Sequence, residues 1–223
     1  MKVLVVDDHA MFGDAIRVLL EGQTDVETVT VVSSGEDAVA SLDIEEPDVV
    51  LMDVNLPGMD GIEAARQVLA RCPSANVVVI SSLHDPALIA RAVEAGATGF
   101  IAKTRAADEL IKVIRAAAEG EIVLPDARAG EILRELQGMR RRSASSRPVL
   151  SPREIEVLQA FADGLSTGQT AQRLWISERT VQSHVRSILS KLGMSSKLQA
   201  VLWALRQGSI QLRDDPPTGR DST

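Results

Sequence analysis

The first half of the chain alternates short apolar runs with longer amphipathic stretches. The runs are Val3–Val6, Val26–Val32, Val49–Met52, Val77–Ile80 and Gly99–Ala102. Between them lie segments of helical period: Met11–Leu20, Gly35–Leu42, Gly61–Ala70, Pro86–Ala95 and Ala106–Ala118. Runs this short and this apolar predict strands covered on both faces. Strands alternating with helices predict βαβ units, here a doubly wound α/β fold with a five-stranded parallel sheet over residues 1–119. Gly96, Gly99 and the Pro57-Gly58 pair punctuate the connections.

The pattern changes from Gly120. Residues 120–149 are expected to form a linker: Glu121–Pro125 extended, Asp126–Gly138 a helix with Asp126 as N-cap, and Arg140–Pro148 a basic, Ser-rich segment. Four close-set helical patterns follow, Pro152–Asp163, Thr167–Leu174, Glu178–Leu192 and Lys197–Gln207, predicting a small all-α domain over 150–208. Ser151, Pro152 and Glu154 form a capping-box signature, Ser177 is placed as another N-cap, and Gly164 and Gly193 stand where helices end. Residues 209–223 are expected to be a disordered tail.

Polar residues close four of the five strand runs. Asp7-Asp8 follow the first, Asp53 the third, Ser81 the fourth and Lys103 the fifth. In parallel sheets chemistry collects beyond the carboxyl ends of the strands. Singly, Asp53 reads as a turn residue, Asp7-Asp8 as a helix cap, Ser81 as part of a loop and Lys103 as a solvated charge. Together they describe a pocket. Crowded carboxylates raise one another's pKa unless a cation intervenes, and a hard divalent ion such as Mg²⁺ suits them. A carboxylate flanked by Mg²⁺, a hydroxyl and a lysine is equipped to accept a phosphoryl group.

Composition divides the chain in the same place. Residues 1–121 carry 9 Lys/Arg against 21 Asp/Glu, whereas residues 122–208 carry 13 against 7. An acidic half joined to a basic half implies different partners, and nucleic acid fits the basic one. One cysteine, Cys72, excludes an internal disulfide framework and a cysteine-based zinc site. The start of the chain lacks signal-peptide character and no apolar run spans a bilayer, so a soluble, cytoplasmic protein is expected.

Thr167–Leu174 and Glu178–Leu192, joined by Trp175-Ile176-Ser177, have helix-turn-helix spacing. Val181, Val185, Ile188 and Leu189 mark the inward face of the second helix. By pattern alone a plain helical hairpin with a solvated charged face fits almost as well.

With VVDDH, LMDVNLPGMDG, Ser81 and the Ala102-Lys103 ending in view, residues 1–119 resemble the receiver domain of two-component response regulators. LSPREIEVL and ISERTVQSHVRSILSKLG make Leu150–Leu205 similar to the output domain of NarL/LuxR-type regulators. The resemblance implies a phosphorylation-controlled DNA-binding transcriptional regulator. In it Asp53 accepts a phosphoryl group from a histidine kinase. Asp8, Asp53 and the backbone carbonyl of Asn55 ligate Mg²⁺, with Asp7 acting through water. Ser81 and Lys103 hold phosphoryl oxygens, and Phe100 is the switch aromatic that moves inward with Ser81. Gln182, Ser183 and Arg186 face bases of double-stranded DNA, while Thr180, His184 and Lys191 lie near phosphates. A homodimer forms on phosphorylation, and the transcription machinery is a further partner; no membrane is.

The sequence departs from the family pattern in places. Gln182 replaces the usual lysine, which moves base preference from guanine toward adenine. Thr167-Gly168-Gln169-Thr170-Ala171 replaces the usual NKEIA, losing a Lys and a Glu and adding a glycine costing roughly 1 kcal/mol of helix propensity. Trp175 stands where Phe, Tyr or His is common, Ser82 where Ala is, and Thr104 where Pro is. An Asp-based phosphohydrolase competes as a reading, but Asn55 occupies the place of its acid two residues after the nucleophile. Nucleotide oxidoreduction lacks a Gly-rich loop after the first strand. A regulator acting through protein contacts is the third reading.

Overall fold

The computed structural model describes residues 1–81, 86–103, 107–123 and 149–212. Ser82, Thr104, the expected helix at 126–138 and the basic segment 140–148 lie outside them. The chain divides into two compact units, 1–132 and 133–223.

The first unit is built on strands β1 (Lys2–Val6), β2 (Thr28–Val32), β3 (Val49–Asp53), β4 (Asn76–Ser81) and β5 (Gly99–Ala102). All pairs are parallel, in the order β2-β1-β3-β4-β5. Helices α1 (Ala10–Glu21), α2 (Gly35–Ser41), α3 (Gly61–Arg71), α4 (Pro86–Ala95) and α5 (Ala107–Ala118) alternate with them. Strand β2 starts at Thr28, two residues later than the run beginning at Val26.

Strands β1, β3, β4 and β5 are covered on both faces, which is why they read as unbroken apolar runs, whereas the edge strand β2 is half-buried. Val3, Val5, Val49, Leu51, Val78 and Ile80 pack with Ile16 and Leu20 of α1 and with Leu110, Ile111 and Ile114 of α5. The alternate residues, Leu4, Val6, Val50, Met52 and Val77, pack with Ala38 and Val39 of α2 and with Ala64, Ala65, Val68 and Leu69 of α3. The period-two alternation of a strand thus divides one apolar run between two cores.

The second unit contains α6 (Pro152–Ala162), α7 (Thr167–Leu174), α8 (Glu178–Leu192) and α9 (Lys197–Arg206). Ser151, Ser166 and Ser196 each close a capping box, with Glu154, Gln169 and Gln199 at the third helical position. Gln169 therefore does the capping work of the glutamate it replaces. Gly164 and Gly193 have positive φ, +80° and +64°, as helix ends require. Val157, Leu158, Phe161, Val181, Ile188, Leu198, Val201 and Leu202 are buried. Val185 and Leu189, expected to face inward, are half-buried.

Of the expected tail, 209–223, the described residues are 209–212. Residues 209–212 fold back: Ile210 is buried, and the Gln159 side-chain amide both accepts from the Gln211 N–H (3.0 Å) and donates to its carbonyl (2.7 Å). No helix among the described residues is long and apolar enough to cross a membrane.

Candidate functional site

Parallel pairing in this order brings the ends of β1, β3, β4 and β5 side by side at one edge of the sheet. Asp7, Asp53, Ser81 and Lys103 arrive there together. Asp7 and Asp53 are 2% and 1% exposed, and Ser81 is buried at the end of β4. The Lys103 ammonium stands 2.7 Å from Asp7 Oδ2 and 2.7 Å from Asp53 Oδ2, bridging the two carboxylates. Burial works against its charge, but Asp53 and Asp7 outweigh that and raise Lys103 above the ordinary lysine range. Its ammonium also lies 5.1 Å from the centre of the Phe12 ring.

Asp8 sits at the mouth, its side chain one-third exposed. His9, which the sequence reading passes over, joins the cluster through Nδ1, 2.8 Å from Asp8 Oδ1 and 3.2 Å from Asp7 Oδ1. Ligand atoms of Asp7, Asp8, His9 and Asp53 all lie within 4.8 Å of one another. Three carboxylates here face one lysine, leaving negative charge on hard oxygen donors, a set that fits a small divalent cation. Asp53 Oδ1 accepts from the Asn55 N–H at 3.3 Å. Phe100 lies buried on β5, paired across from Val79 of β4.

The loop after Asp53 is fixed by two glycines. Gly58 has φ +78°, a turn conformation that side-chain-bearing residues rarely adopt. At Gly61 a Cβ would stand 1.8 Å from the Asp53 carbonyl oxygen and 3.0 Å from Val54 Cα. Only glycine lets α3 start this close to the end of β3. Asp60 caps that helix by accepting from the Ile62 N–H at 2.8 Å.

In the second unit, α8 carries an exposed row of Arg179, Thr180, Gln182, Ser183 and Arg186. His184 is only half-buried. Lys191 is committed elsewhere: its ammonium lies 2.8 Å from both oxygens of Glu154. The Glu154 carboxylate, buried at the start of α6, also accepts from Ser187 Oγ (2.8 Å) and the Ser151 N–H (2.7 Å). Burial pushes this carboxyl up, but the bonds from Lys191, Ser151 and Ser187 outweigh it and hold its pKa at about 2.

Comparison with known proteins covers both halves. Residues 3–115 match the family described as response regulator receiver domain, and residues 148–204 match bacterial regulatory proteins of the luxR family. The transcriptional regulatory protein LiaR of Bacillus subtilis is 35% identical over 206 residues, covering 92% of this chain and 97% of its own. Response regulator VraR of Staphylococcus aureus is 34% identical over 211 residues, covering 95% and 99%. Among solved structures, the complex of the response regulator RcsB with DNA is similar at 27% identity and a TM-score of 0.54, covering 92% of this chain and 98% of that one. The chain belongs to the two-component response regulators of the NarL/LuxR family, phosphorylation-controlled transcriptional regulators that join a receiver domain to a LuxR-type helix-turn-helix domain.

Proposed function

We propose that Asp53 is the phosphoacceptor and that its phosphorylation by a histidine kinase controls binding of α8 to operator DNA. The observation that carries the first half is the Lys103 ammonium 2.7 Å from Asp53 at the sheet edge, beside Asp7, Asp8 and Ser81. An Asp53 oxygen attacks phosphorus as the P–N bond of a phosphohistidine breaks, and the imidazole leaves with the electron pair. Lys103 and Ser81 receive the phosphoryl oxygens. Asp8, Asp53 and the Asn55 carbonyl would hold Mg²⁺, with Asp7 helping through water; bound there, the ion neutralises charge on the transferring group. Asn55 supplies no carboxylic acid two residues from the nucleophile. Turnover is therefore limited to slow loss of the protein's own phosphoryl group. Phe100 is already buried here, so the inward movement expected of it is small.

In the output half, Gln182, Ser183 and Arg186 read bases, and Thr180 and His184 approach phosphates. Lys191 contributes to that face only as far as its pairing with Glu154 permits. The solved complex of RcsB with DNA supports DNA as the ligand. The working chain is a cytoplasmic homodimer on two half-sites, able to contact the transcription machinery. We take residues 1–119 as the receiver, 120–149 as the linker and 150 to at least Gln211 as the output domain.

Phosphodonor treatment with Mg²⁺ tests this reading. Wild type should gain one phosphoryl group by intact mass, dimerise, and bind duplex DNA with a steep salt dependence. Asp53→Asn should do none of these in response to the donor. An Asp53→Asn chain that still dimerises and binds on treatment would refute the mechanism.

A further inference from the structure

Trp175 ends α7 in the left-handed conformation, φ +56° and ψ +45°, and is the one non-glycine with positive φ among the described residues. Its backbone is pinned there. The Trp175 N–H donates to the Ala171 and Gln172 carbonyls, the Ile176 N–H donates to Ala171 O at 3.0 Å, and Arg153 donates to Leu174 O. Such a helix end suits glycine, or asparagine at little cost, and disfavours a bulky side chain. Packing gives no compensation, because Trp175 is 93% exposed. Its indole N–H has no partner among the described residues. Two unfavourable features, a disfavoured backbone and a large ring held in water, thus coincide at one position with no return among the described residues.

Position supplies the reason. Trp175 precedes the Ser177 cap of α8, at the end of that helix bearing the exposed Arg179 and Thr180. Recognition helices present their N-terminal residues to the major groove, so the preceding turn lies along its rim. A flat apolar ring with one N–H donor matches the rim, where deoxyribose offers carbon and phosphate offers acceptor oxygens.

We propose that Trp175 is a DNA contact, its indole packed on the sugar–phosphate edge of the groove that α8 enters and its N–H donated to a phosphate oxygen. The proposal rests on the reading of α8 as the DNA-reading helix. The contact carries no base information, so its contribution is uniform across sequences.

The test uses the full chain with acetyl phosphate and Mg²⁺. The chain has two tryptophans, so Trp203→Phe leaves Trp175 as the sole reporter. Its emission should be open to iodide quenching in the free chain and protected on saturating duplex. Trp175→Asn, in an otherwise native chain, should keep or raise thermal stability. It should bind both selected operator and random duplex roughly 5- to 30-fold more weakly, the lower part of the range for an aromatic side chain stacked on a base, as suits a contact to sugar and phosphate. Affinity equal to wild type overturns the proposal, as does a loss confined to one sequence. An indole shielded before DNA is added, or still open to iodide when bound, overturns it too. A wild-type chain that binds no duplex overturns the functional reading and this proposal together; a binding wild type with an unaffected variant overturns this one alone.

Discussion

Glu154→Gln isolates the electrostatics at the base of the output domain. The substitution keeps the side chain's shape and an oxygen for the Ser151 N–H, but removes the charge that Lys191 neutralises. The Glu154 side chain is 4% exposed and Lys191 is 42% exposed, so the carboxylate is the partner that cannot be rehydrated in place. Its pKa falls from an ordinary 4.5 to about 2 on folding. At 1.36 kcal/mol per pKa unit, ionised Glu154 contributes about 3 kcal/mol to folding. That lies at the low end for breaking a buried pair, as fits a partner that can return to water.

A depressed folded pKa fixes the sign of the pH dependence. The contribution is fully present above about pH 4.5 and disappears as pH falls toward about 2. Urea unfolding of wild type and Glu154→Gln, followed by far-ultraviolet circular dichroism at a series of pH values, reads this directly. The difference should be about 3 kcal/mol near neutrality and shrink steadily below pH 4.5. A difference that is absent at neutrality, or constant across the acid range, would refute the reasoning. Lys191→Met separates the two roles of that lysine. Loss of stability marks the ion pair, whereas unchanged stability with a shallower salt dependence of DNA binding marks a phosphate contact.

Thr170 is fully buried and its hydroxyl has no hydrogen-bond partner among the described residues, so Thr170→Val should raise output-domain stability by about 1 kcal/mol in urea titrations. Stability lower than wild type would mean that the hydroxyl has a partner. Gly61→Ala forces a Cβ against the Asp53 carbonyl oxygen and should lower the receiver's melting temperature and phosphoryl uptake together. Normal phosphorylation kinetics in that variant would show that the loop accommodates the methyl. Gln182→Lys should steepen the logarithmic salt dependence of DNA affinity by about 0.9 per protomer. An unchanged slope would remove position 182 from the DNA face.

The acidic edge is legible because four runs of one pattern each end in a chemically pointed residue, and parallel pairing carries those ends to one place. Gly61 is visible as a letter of the LPGMDG motif; the Asp53 carbonyl against which it packs is a fact of three-dimensional approach. His9 follows Asp7-Asp8 directly, and the available signal is its ability to reach back over two residues to both carboxylates. The pairing of Glu154 with Lys191 spans 37 residues and leaves no local pattern. In the sequence, Glu154 therefore reads as part of a cap and Lys191 as a DNA contact, each from its own helix alone. Trp175 shows the same limit, since a φ angle has no letter. Ile210 did leave a signal, an apolar residue just past Gly208, of the fold-back that keeps residues 209–212 out of the tail.

Within residues 149–208, composition overstates the number of basic side chains free to meet DNA. Residues 149–208 contain seven Lys/Arg, of which Arg206, at the end of α9, has a partner of its own. Arg153 pairs with Glu156, Arg173 with Asp163 and Lys191 with Glu154, while Lys197 donates to Thr167 and covers the Phe161 ring. Arg179 and Arg186, both exposed on α8, have no ion-pair partner among the described residues. With Gln182 in place of a lysine, this helix carries two unneutralised charges, Arg179 and Arg186, among the described residues. On the proposed reading of α8 as the DNA-contacting helix, its sequence-independent attraction is weak, and discrimination falls to the few side chains that reach base edges. Gln182 sits centrally on the exposed row, where a bidentate amide favours adenine. If α8 reads DNA in the proposed homodimer, two copies on two half-sites compensate for its low charge, because avidity replaces the missing electrostatic affinity. Phosphorylation-dependent dimerisation would then govern DNA occupancy more tightly than in a relative that carries the lysine.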